Sequence, residues 1–160
     1  MEPIMPNFMP EGASVLSPYL TVTDTRAAID FYKRAFGAEE VMCLNVPDTD
    51  KAMHAEIRIG GAIVMLSDES KEWGTSAAPT LGGSPVSLHI YAEDADATVA
   101  QAVEAGATLS HPMADMFWGD RMGSVTCPFG FMWSVATHVR DIDPSTFEAG
   151  ARAMMAEMGG

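Results

Sequence analysis

The sequence predicts an α+β protein made of two tandem βαβββ modules and a C-terminal helix. One observation is that the same order of strand-like and helix-like segments occurs twice along the chain. A second is that two glycine landmarks repeat at one spacing. Gly37 recurs as Gly106, and Gly61 recurs as Gly130, in both cases 69 residues later. Because one offset serves both pairs, an internal repeat is indicated.

The first module is predicted over residues 14–68. Residues 16–23 alternate like a strand and end at Asp24, a residue type that caps helices. The next segment has one apolar stripe, as an amphipathic helix does, and should end at Gly37. Turn-forming Pro-Asp and Gly-Gly pairs then separate three strand-like runs. These runs cover residues 40–46, 52–59 and 62–67.

The second module, residues 85–140, is predicted to repeat this order. A strand over 86–93 leads to Asp94 as the helix cap, and the helix should end at Gly106. Three more strand-like runs extend to Val139. The module therefore has the same βαβββ order as the first.

Three further segments complete the predicted organisation. Residues 1–13 contain three prolines and no basic residue, which predicts a flexible or loosely docked N-terminal arm and no signal peptide. Residues 69–84, rich in Gly, Ser and Pro, are predicted to link the modules. Residues 141–160 should form a helical tail that starts at Asp143-Pro144 and packs on its own sheet or on a partner subunit. Its apolar stripe contains Phe147, Ala151, Met154, Met155 and Met158.

Composition excludes several function classes. The chain has 160 residues, and nine basic against 22 acidic side chains give a net charge of −13. This charge repels phosphate backbones and anionic membranes, so we expect neither nucleic-acid nor membrane partners. No apolar run approaches the roughly 18 residues of a membrane span. Two well-separated cysteines, Cys43 and Cys127, fit a reducing compartment, and we expect a cytoplasmic protein.

Four motifs link the modules to a known family. They are Ser17-Pro18-Tyr19-Leu20 through Asp30-Phe31-Tyr32, His54-Ala55-Glu56-Ile57-Arg58-Ile59-Gly60, Gly119-Asp120-Arg121, and Pro128-Phe129-Gly130 with Trp133. Over residues 15–140 the chain resembles the glyoxalase/bleomycin-resistance/dioxygenase superfamily, or vicinal oxygen chelate proteins, and in particular its PhnB-like branch. The resemblance implies that each module curls its mixed sheet, and that the two curled sheets enclose a ligand cavity.

The resemblance also implies where a metal would bind. Metal-dependent members of the superfamily place ligands on the first and last strands of each module. The corresponding positions here are Ser17, Met65, Ser87 and Ser134. Hydroxyls and a thioether are poor ligands for the divalent metals of such sites. We therefore expect no metal and no other cofactor at these positions.

Strand alternation assigns side chains to two faces in each module. One face, which includes Leu66 and Trp133, is apolar and should lie under the helix, whereas the other is polar and aromatic and should face the cavity. The predicted binding residues on the cavity face are Tyr19, Thr21, His54, Met65, Ser87, His89, Tyr91, Ser134 and His138. Glu56 shares this face and is the predicted catalytic residue, since a carboxylate in a partly desolvated cavity suits general-base chemistry. Its alternative role is as an ion-pair partner of Arg58.

Two interpretations of the histidines remain open. With His54 or Glu56, residues His89 and His138 could form a displaced metal or acid-base cluster. The other interpretation, which the commonness of strand-end histidines favours, is that each bonds to a neighbouring carboxylate or carbonyl.

The segment Phe117-Trp118-Gly119-Asp120-Arg121 is predicted to form a loop between two strands. A charged pair at a turn tip is the simpler interpretation of Asp120 and Arg121. In the alternative, Phe117 and Trp118 form a lid, and Arg121 contacts an anionic ligand or holds the turn by ion pairing. Phe117, Trp118 and Arg121 are included among the predicted binding residues.

The sequence therefore predicts a cytoplasmic homodimer that binds or sequesters a small, partly aromatic molecule, as bleomycin-resistance proteins do, without the standard metal. The alternative is a metal-dependent glyoxalase-like lyase or dioxygenase, in which a relocated His/Glu site holds a divalent metal. A third possibility is a partner-binding module that assembles through its C-terminal helix and methionine-rich surface.

Overall fold

The computed structural model describes residues 7–159, which form two units divided between Leu81 and Gly82. The elements of the first unit are β1 (Tyr19–Val22), α1 (Thr25–Phe36), β2 (Glu39–Asn45), β3 (Ala52–Ile59), β4 (Ala62–Asp68) and α2 (Ala78–Leu81). Those of the second unit are β5 (Leu88–Tyr91), α3 (Ala95–Ala105), β6 (Thr108–Asp115), β7 (Asp120–Thr126), β8 (Met132–His138), a 3₁₀ turn (Pro144–Thr146) and α4 (Phe147–Met158). The predicted tandem βαβββ order is confirmed.

Each unit contains one mixed sheet of four strands. The strand orders are β1-β4-β3-β2 and β5-β8-β7-β6. The first strand of each unit pairs in parallel with the last, and the remaining pairs are antiparallel. The two sheets thus repeat one topology, as the glycine landmarks predicted.

The cores lie between each sheet and its helix. In the first unit the buried side chains of α1 face those of β3 and β4. In the second unit Val99 and Ala102 of α3 face β7 and β8, whose largest buried side chain is Trp133. One face of each sheet is consequently covered by a helix, and the polar-aromatic side chains are on the other face.

The predicted helix caps are confirmed at both sites. One carboxylate oxygen of Asp24 accepts a hydrogen bond from the Ala27 amide at 3.0 Å, and Asp94 accepts one from Ala97 at the same distance. Gly37 ends α1 in the left-handed conformation, with a φ of 66°. These local signals therefore place both helices correctly.

Removing a cap should cost a measurable but limited amount of stability. We expect Asp94→Ala to lower the free energy of unfolding by about 1 kcal/mol, because the Ala97 amide loses its acceptor. Urea unfolding measures this change. Asp94→Asn is the matched control, since its side-chain oxygen can still accept, and it should retain most of the wild-type stability. An equal loss in both variants would contradict the capping role.

The connecting segments contain defined structure. The linker contains α2 and a turn closed by hydrogen bonds between the Ser70 and Thr75 backbones, so it is not a structureless spacer. The N-terminal segment contacts the first sheet, since Arg58 donates to the Gly12 carbonyl at 3.5 Å and Ser14 Oγ accepts from the Ile63 amide at 3.4 Å. The part of the predicted flexible arm over residues 1–6 lies outside the described residues.

The C-terminal helix α4 packs on its own unit through one end of its predicted apolar stripe. The Phe147 ring lies edge-on to Phe117, with ring centres 6.2 Å apart. Gly150 lies so close to the Phe117 ring that a Cβ there would approach it to 2.6 Å. The rest of the stripe, Met154, Met155 and Met158, remains exposed.

Candidate functional site

The uncovered face of the first sheet brings three predicted site residues into one hydrogen-bonded chain. Tyr19 Oη lies 2.8 Å from His54 Nδ1, and His54 Nε2 lies 3.0 Å from Glu56 Oε1. The Tyr19 and His54 rings are tilted by 43°, with centres 5.5 Å apart. The Tyr19 residue is 50% exposed, whereas His54 and Glu56 are partly shielded. We call this chain the Tyr19–His54–Glu56 triad.

Strand register explains why these side chains converge. Tyr19 on β1 pairs with Met65 on β4, and Met65 pairs with Glu56 on β3. Cross-strand partners project from the same face of a sheet, and residues two apart on a strand share that face. His54 is therefore beside Glu56 and within reach of Tyr19. Thr21 lies two residues beyond Tyr19 on the same face and is half-buried.

A cavity of about 320 Å³ adjoins the triad. Its walls include residues 8–15 of the N-terminal segment and, from the sheet, Glu56, Arg58 and Met65. This volume lies at the lower end of the range for small-molecule sites. The predicted residues Glu56 and Met65 thus line a cavity of suitable size.

A larger cavity of about 560 Å³ lies elsewhere in the first unit, bounded in part by residues 68–76. None of the predicted site residues lines it. Two of its carboxylates already bind backbone amides, since Asp68 accepts from Thr25 and Ala52, and Glu69 accepts from Ala77. The bond from Ala77 is the main reason that the pKa of Glu69 is lowered. These hydrogen bonds give the two carboxylates in the cavity wall a structural role.

The uncovered face of the second sheet brings together a second set of predicted residues. His89 Nδ1 lies 2.6 Å from Ser134 Oγ, and the His89 ring meets the Tyr91 ring edge-on at 4.8 Å. The Tyr91 hydroxyl donates to Asp120 Oδ2 at 3.3 Å. Ser87 lies one residue before β5 and is exposed.

Asp120 is the centre of this second set. Besides Tyr91, the Trp118 indole donates to Asp120 Oδ2 at 3.2 Å, and His138 Nδ1 lies 2.7 Å from Oδ1. His138 Nε2 lies 2.8 Å from Asp141, beyond the end of β8. The Asp120 residue is only 4% exposed. Each hydrogen bond to its carboxylate therefore helps to offset the water that the charged group loses on burial.

Contacts around Asp120 shift the pKa values of Asp120, His138 and Tyr91. Burial alone would raise the pKa of Asp120, but the hydrogen bonds from His138, Trp118 and Tyr91 outweigh it and hold that pKa below its ordinary value. Hydrogen bonds to Asp141 and then to Asp120 raise the pKa of His138. The neighbouring Asp120 charge is the main reason that the pKa of Tyr91 is raised.

The structure corrects two predictions about the Phe117–Arg121 segment. Asp120 and Arg121 are the first residues of β7 and not a turn tip. Arg121 points to the other face of the sheet, where its guanidinium binds Asp96 at 2.7 and 2.9 Å and Asp115 at 3.2 Å, which raises its pKa. This geometry fits the ion-pairing alternative and leaves the anion-binding one without support. Phe117 packs on α4 instead of extending as a lid, because Gly150 leaves room for its ring.

Sequence reasoning did not include Asp120 in the site. The signal that could have identified it is strand parity, since Asp120 pairs with His138 across β7 and β8. Because Asp120 was assigned to a loop, strand alternation was not used to assign its side chain to a face of the sheet.

Two of the four positions that the resemblance implied for a metal lie outside the strands. Ser17 lies outside β1, and Met65 pairs with Tyr19; Ser134 pairs with His89, whereas Ser87 lies outside β5.

Within residues 7–159, no three side chains of His, Cys, Asp and Glu are grouped so that they could hold a metal ion. The members of the proposed displaced cluster belong to different units, with His54 and Glu56 in the first and His89 and His138 in the second. Both ring nitrogens of His54 and of His138 already have hydrogen-bond partners within their own unit. Over the same part of the chain, no helix is long and apolar enough to cross a membrane.

Two βαβββ units with mixed sheets and polar-aromatic uncovered faces define the vicinal oxygen chelate class of folds. The family model of the glyoxalase/bleomycin resistance protein/dioxygenase superfamily matches residues 14–135, and the chain belongs to this superfamily.

Three known proteins illustrate the similarity. An uncharacterized protein of Mycobacterium bovis is 44% identical over 137 residues, which cover 84% of this chain and 90% of that protein. The X-ray structure of an Arabidopsis thaliana gene product is 32% identical with a TM-score of 0.63, covering 77% of this chain and 98% of that one. A PhnB protein from Bacillus cereus shares the fold at 16% identity, with a TM-score of 0.59 and coverage of 78% of this chain and 99% of that one.

Proposed function

We propose that this protein binds a small, partly aromatic molecule on the uncovered face of its first sheet, without a metal at the superfamily's standard positions. The observation that supports this most directly is the Tyr19–His54–Glu56 triad beside a 320 Å³ cavity. A few convergent polar groups beside a concave surface are typical of small-molecule sites.

The side chains around the cavity suit such a ligand. Met65 in the cavity wall can adapt its shape to an irregular apolar group. On the same face of the sheet, the tilted Tyr19 and His54 rings offer aromatic faces, although neither lines the cavity itself. Arg58 and Glu56 provide one cation and one carboxylate for polar substituents. The site therefore favours an aromatic compound with one or two hydrogen-bonding groups.

The proposal includes a homodimer in the cytoplasm. Met154, Met155 and Met158 form an exposed apolar stripe on α4, which a second copy could cover. Two free cysteines are compatible with a reducing compartment. Light scattering after size-exclusion chromatography tests the dimer, and Met155→Glu should shift it towards the monomer.

Titration with neutral aromatic fragments, followed by two-dimensional NMR of backbone amides, tests the binding site. We expect shifts at β1, β3 and β4, and we expect Met65→Glu to weaken binding at least about tenfold by placing a second carboxylate beside Glu56. A fragment at a hundredfold excess over its Kd should raise the free energy of unfolding by about 2.7 kcal/mol.

The control variant is Trp73→Ala, which alters the larger cavity of the same unit. Fragment binding that survives Met65→Glu but is lost in Trp73→Ala would contradict the proposed site. Metal analysis of the purified protein tests the other part of the proposal, and one tightly bound divalent ion per chain would instead support a relocated metal site.

A further inference from the structure

The hydrogen-bond roles within the triad follow from the chemistry of its members. An ionised carboxylate can only accept, so the Glu56 contact assigns the proton of His54 to Nε2. In the neutral ring Nδ1 then has a free lone pair, and the nearby phenol must donate to it. The Tyr19 O–H is thereby directed at a base, and that base is oriented by a carboxylate.

This order of groups is that of a nucleophile, a base and an orienting acid, as in hydrolases with catalytic triads. The exposure gradient agrees, because Tyr19 at the outer end is 50% exposed while the other two side chains are partly shielded. The phenol of Tyr19 is therefore the most accessible group of the triad.

We propose that Tyr19 is a nucleophile activated by His54 and positioned through Glu56, and that the site takes compounds with an electrophilic acyl or sulfonyl centre. This inference rests on the proposed function for the place of the ligand and specifies the ligand's chemical class. His54 is the base, and Glu56 is a positioning residue because it acts through His54.

The covalent step balances without a cofactor. Tyr19 Oη forms a bond to the electrophilic carbon or sulfur, while its proton passes to His54 Nδ1. The leaving group departs with the electron pair of the broken bond. Glu56 stabilises the imidazolium until the proton passes to the leaving group or to water.

The chain contains two further tyrosines that serve as internal references. Tyr91 is 66% exposed, but its hydroxyl donates to Asp120, a weak base because its pKa is held below the ordinary value. The pKa of Tyr91 is raised as well, which keeps its hydroxyl protonated and lowers its reactivity. Tyr32 is fully buried. If exposure alone determined reactivity, Tyr91 would react faster than Tyr19. If assistance by a base determines it, Tyr19 would react faster.

Labelling of the full chain with phenylmethanesulfonyl fluoride tests the proposal. The expected product is a sulfonate ester on Tyr19 with loss of fluoride, located and timed by peptide mass spectrometry. We expect Tyr19 to react at least about tenfold faster than Tyr91, since general-base assistance typically gives roughly 10²–10⁴-fold. His54→Gln should reduce the Tyr19 rate to that of Tyr91, and Tyr19→Phe should remove the label.

Glu56→Leu tests the positioning role. A leucine side chain cannot accept a hydrogen bond from Nε2, so the ring loses the contact that keeps its proton on Nε2 and Nδ1 free for Tyr19. We expect the labelling rate to fall as in His54→Gln, and the ¹⁵N chemical shifts of His54 to show the change of tautomer. His111→Gln, at an exposed histidine of β6, is the control and should leave the rate unchanged.

Equal rates at Tyr19 and Tyr91, no label at Tyr19, or a rate insensitive to His54→Gln would each overturn the proposal. Circular dichroism of every variant separates loss of reactivity from loss of fold, and the wild-type comparison of Tyr19 with Tyr91 needs no variant. Because labelling needs no natural ligand, it can fail while fragments still bind in the cavity, and the two proposals fail separately.

Discussion

Trp133→Ala is expected to lower the free energy of unfolding by about 3–5 kcal/mol, as large aromatic truncations in packed cores do. Trp133 is 1% exposed, and it lies on the helix-covered face of β8 between its cross-strand partners Leu88 and Val125. Its removal leaves a cavity beneath α3 that the rigid sheet cannot close. Urea unfolding of the wild type and the variant measures the loss.

Trp73→Ala is the matched control for this substitution. Trp73 is 52% exposed, and its truncation should change stability by no more than about 0.5 kcal/mol. A loss below about 1 kcal/mol in Trp133→Ala would mean that the second unit does not depend on this side chain for its packing. Ser134 and His138 lie on the same strand, so their positions should also depend on the packing of Trp133.

The fold could be predicted because its signals are local and occur twice. Asp24 and Asp94 mark helix starts through a side-chain oxygen that needs only the next few amides. Strand alternation then assigned Leu66 and Trp133 to covered faces, where both are buried. None of these signals depends on which strands are neighbours.

The site was only partly predictable, because its contacts depend on register. Parity placed Tyr19, His54 and Glu56 on one face, but only the pairing of Tyr19 with Met65 and of Met65 with Glu56 brings them into contact. One misplaced boundary was enough to lose Asp120, which was assigned to a loop although it begins β7. Residue type and spacing alone do not determine a register in sheets with bulges such as those between β6 and β7.

Replacing Asp120 should have the other large effect, because its buried carboxylate binds three donors in the second unit. We expect Asp120→Ala to lower the free energy of unfolding by about 2–3 kcal/mol at about pH 6, since Tyr91, Trp118 and His138 lose their shared acceptor. Asp141→Ala removes an exposed partner of the same histidine and should cost less than about 1 kcal/mol. Thermal and urea unfolding distinguish the two.

The same contacts give the second unit a defined pH dependence. The raised pKa of His138 means that its stabilisation is complete below about pH 6.5 and is lost as the pH rises through the folded-state value. The lowered pKa of Asp120 means that its contribution is complete above about pH 3.9 and is lost as the pH falls through the folded-state value. Both contributions coexist between these limits.

Stability measurements on His138→Gln should reveal the alkaline side of this window. The stability difference between the wild type and the variant should be largest near about pH 6 and should decrease towards about pH 9, because only the wild type loses an ion pair with Asp120 and Asp141. A difference that stays constant over this range would show that His138 does not gain a proton preferentially in the folded state. His138 also bonds to Asp141, in the segment that leads from β8 to α4. A stability difference that decreases with rising pH would therefore show that protonation of His138 also stabilises this connection.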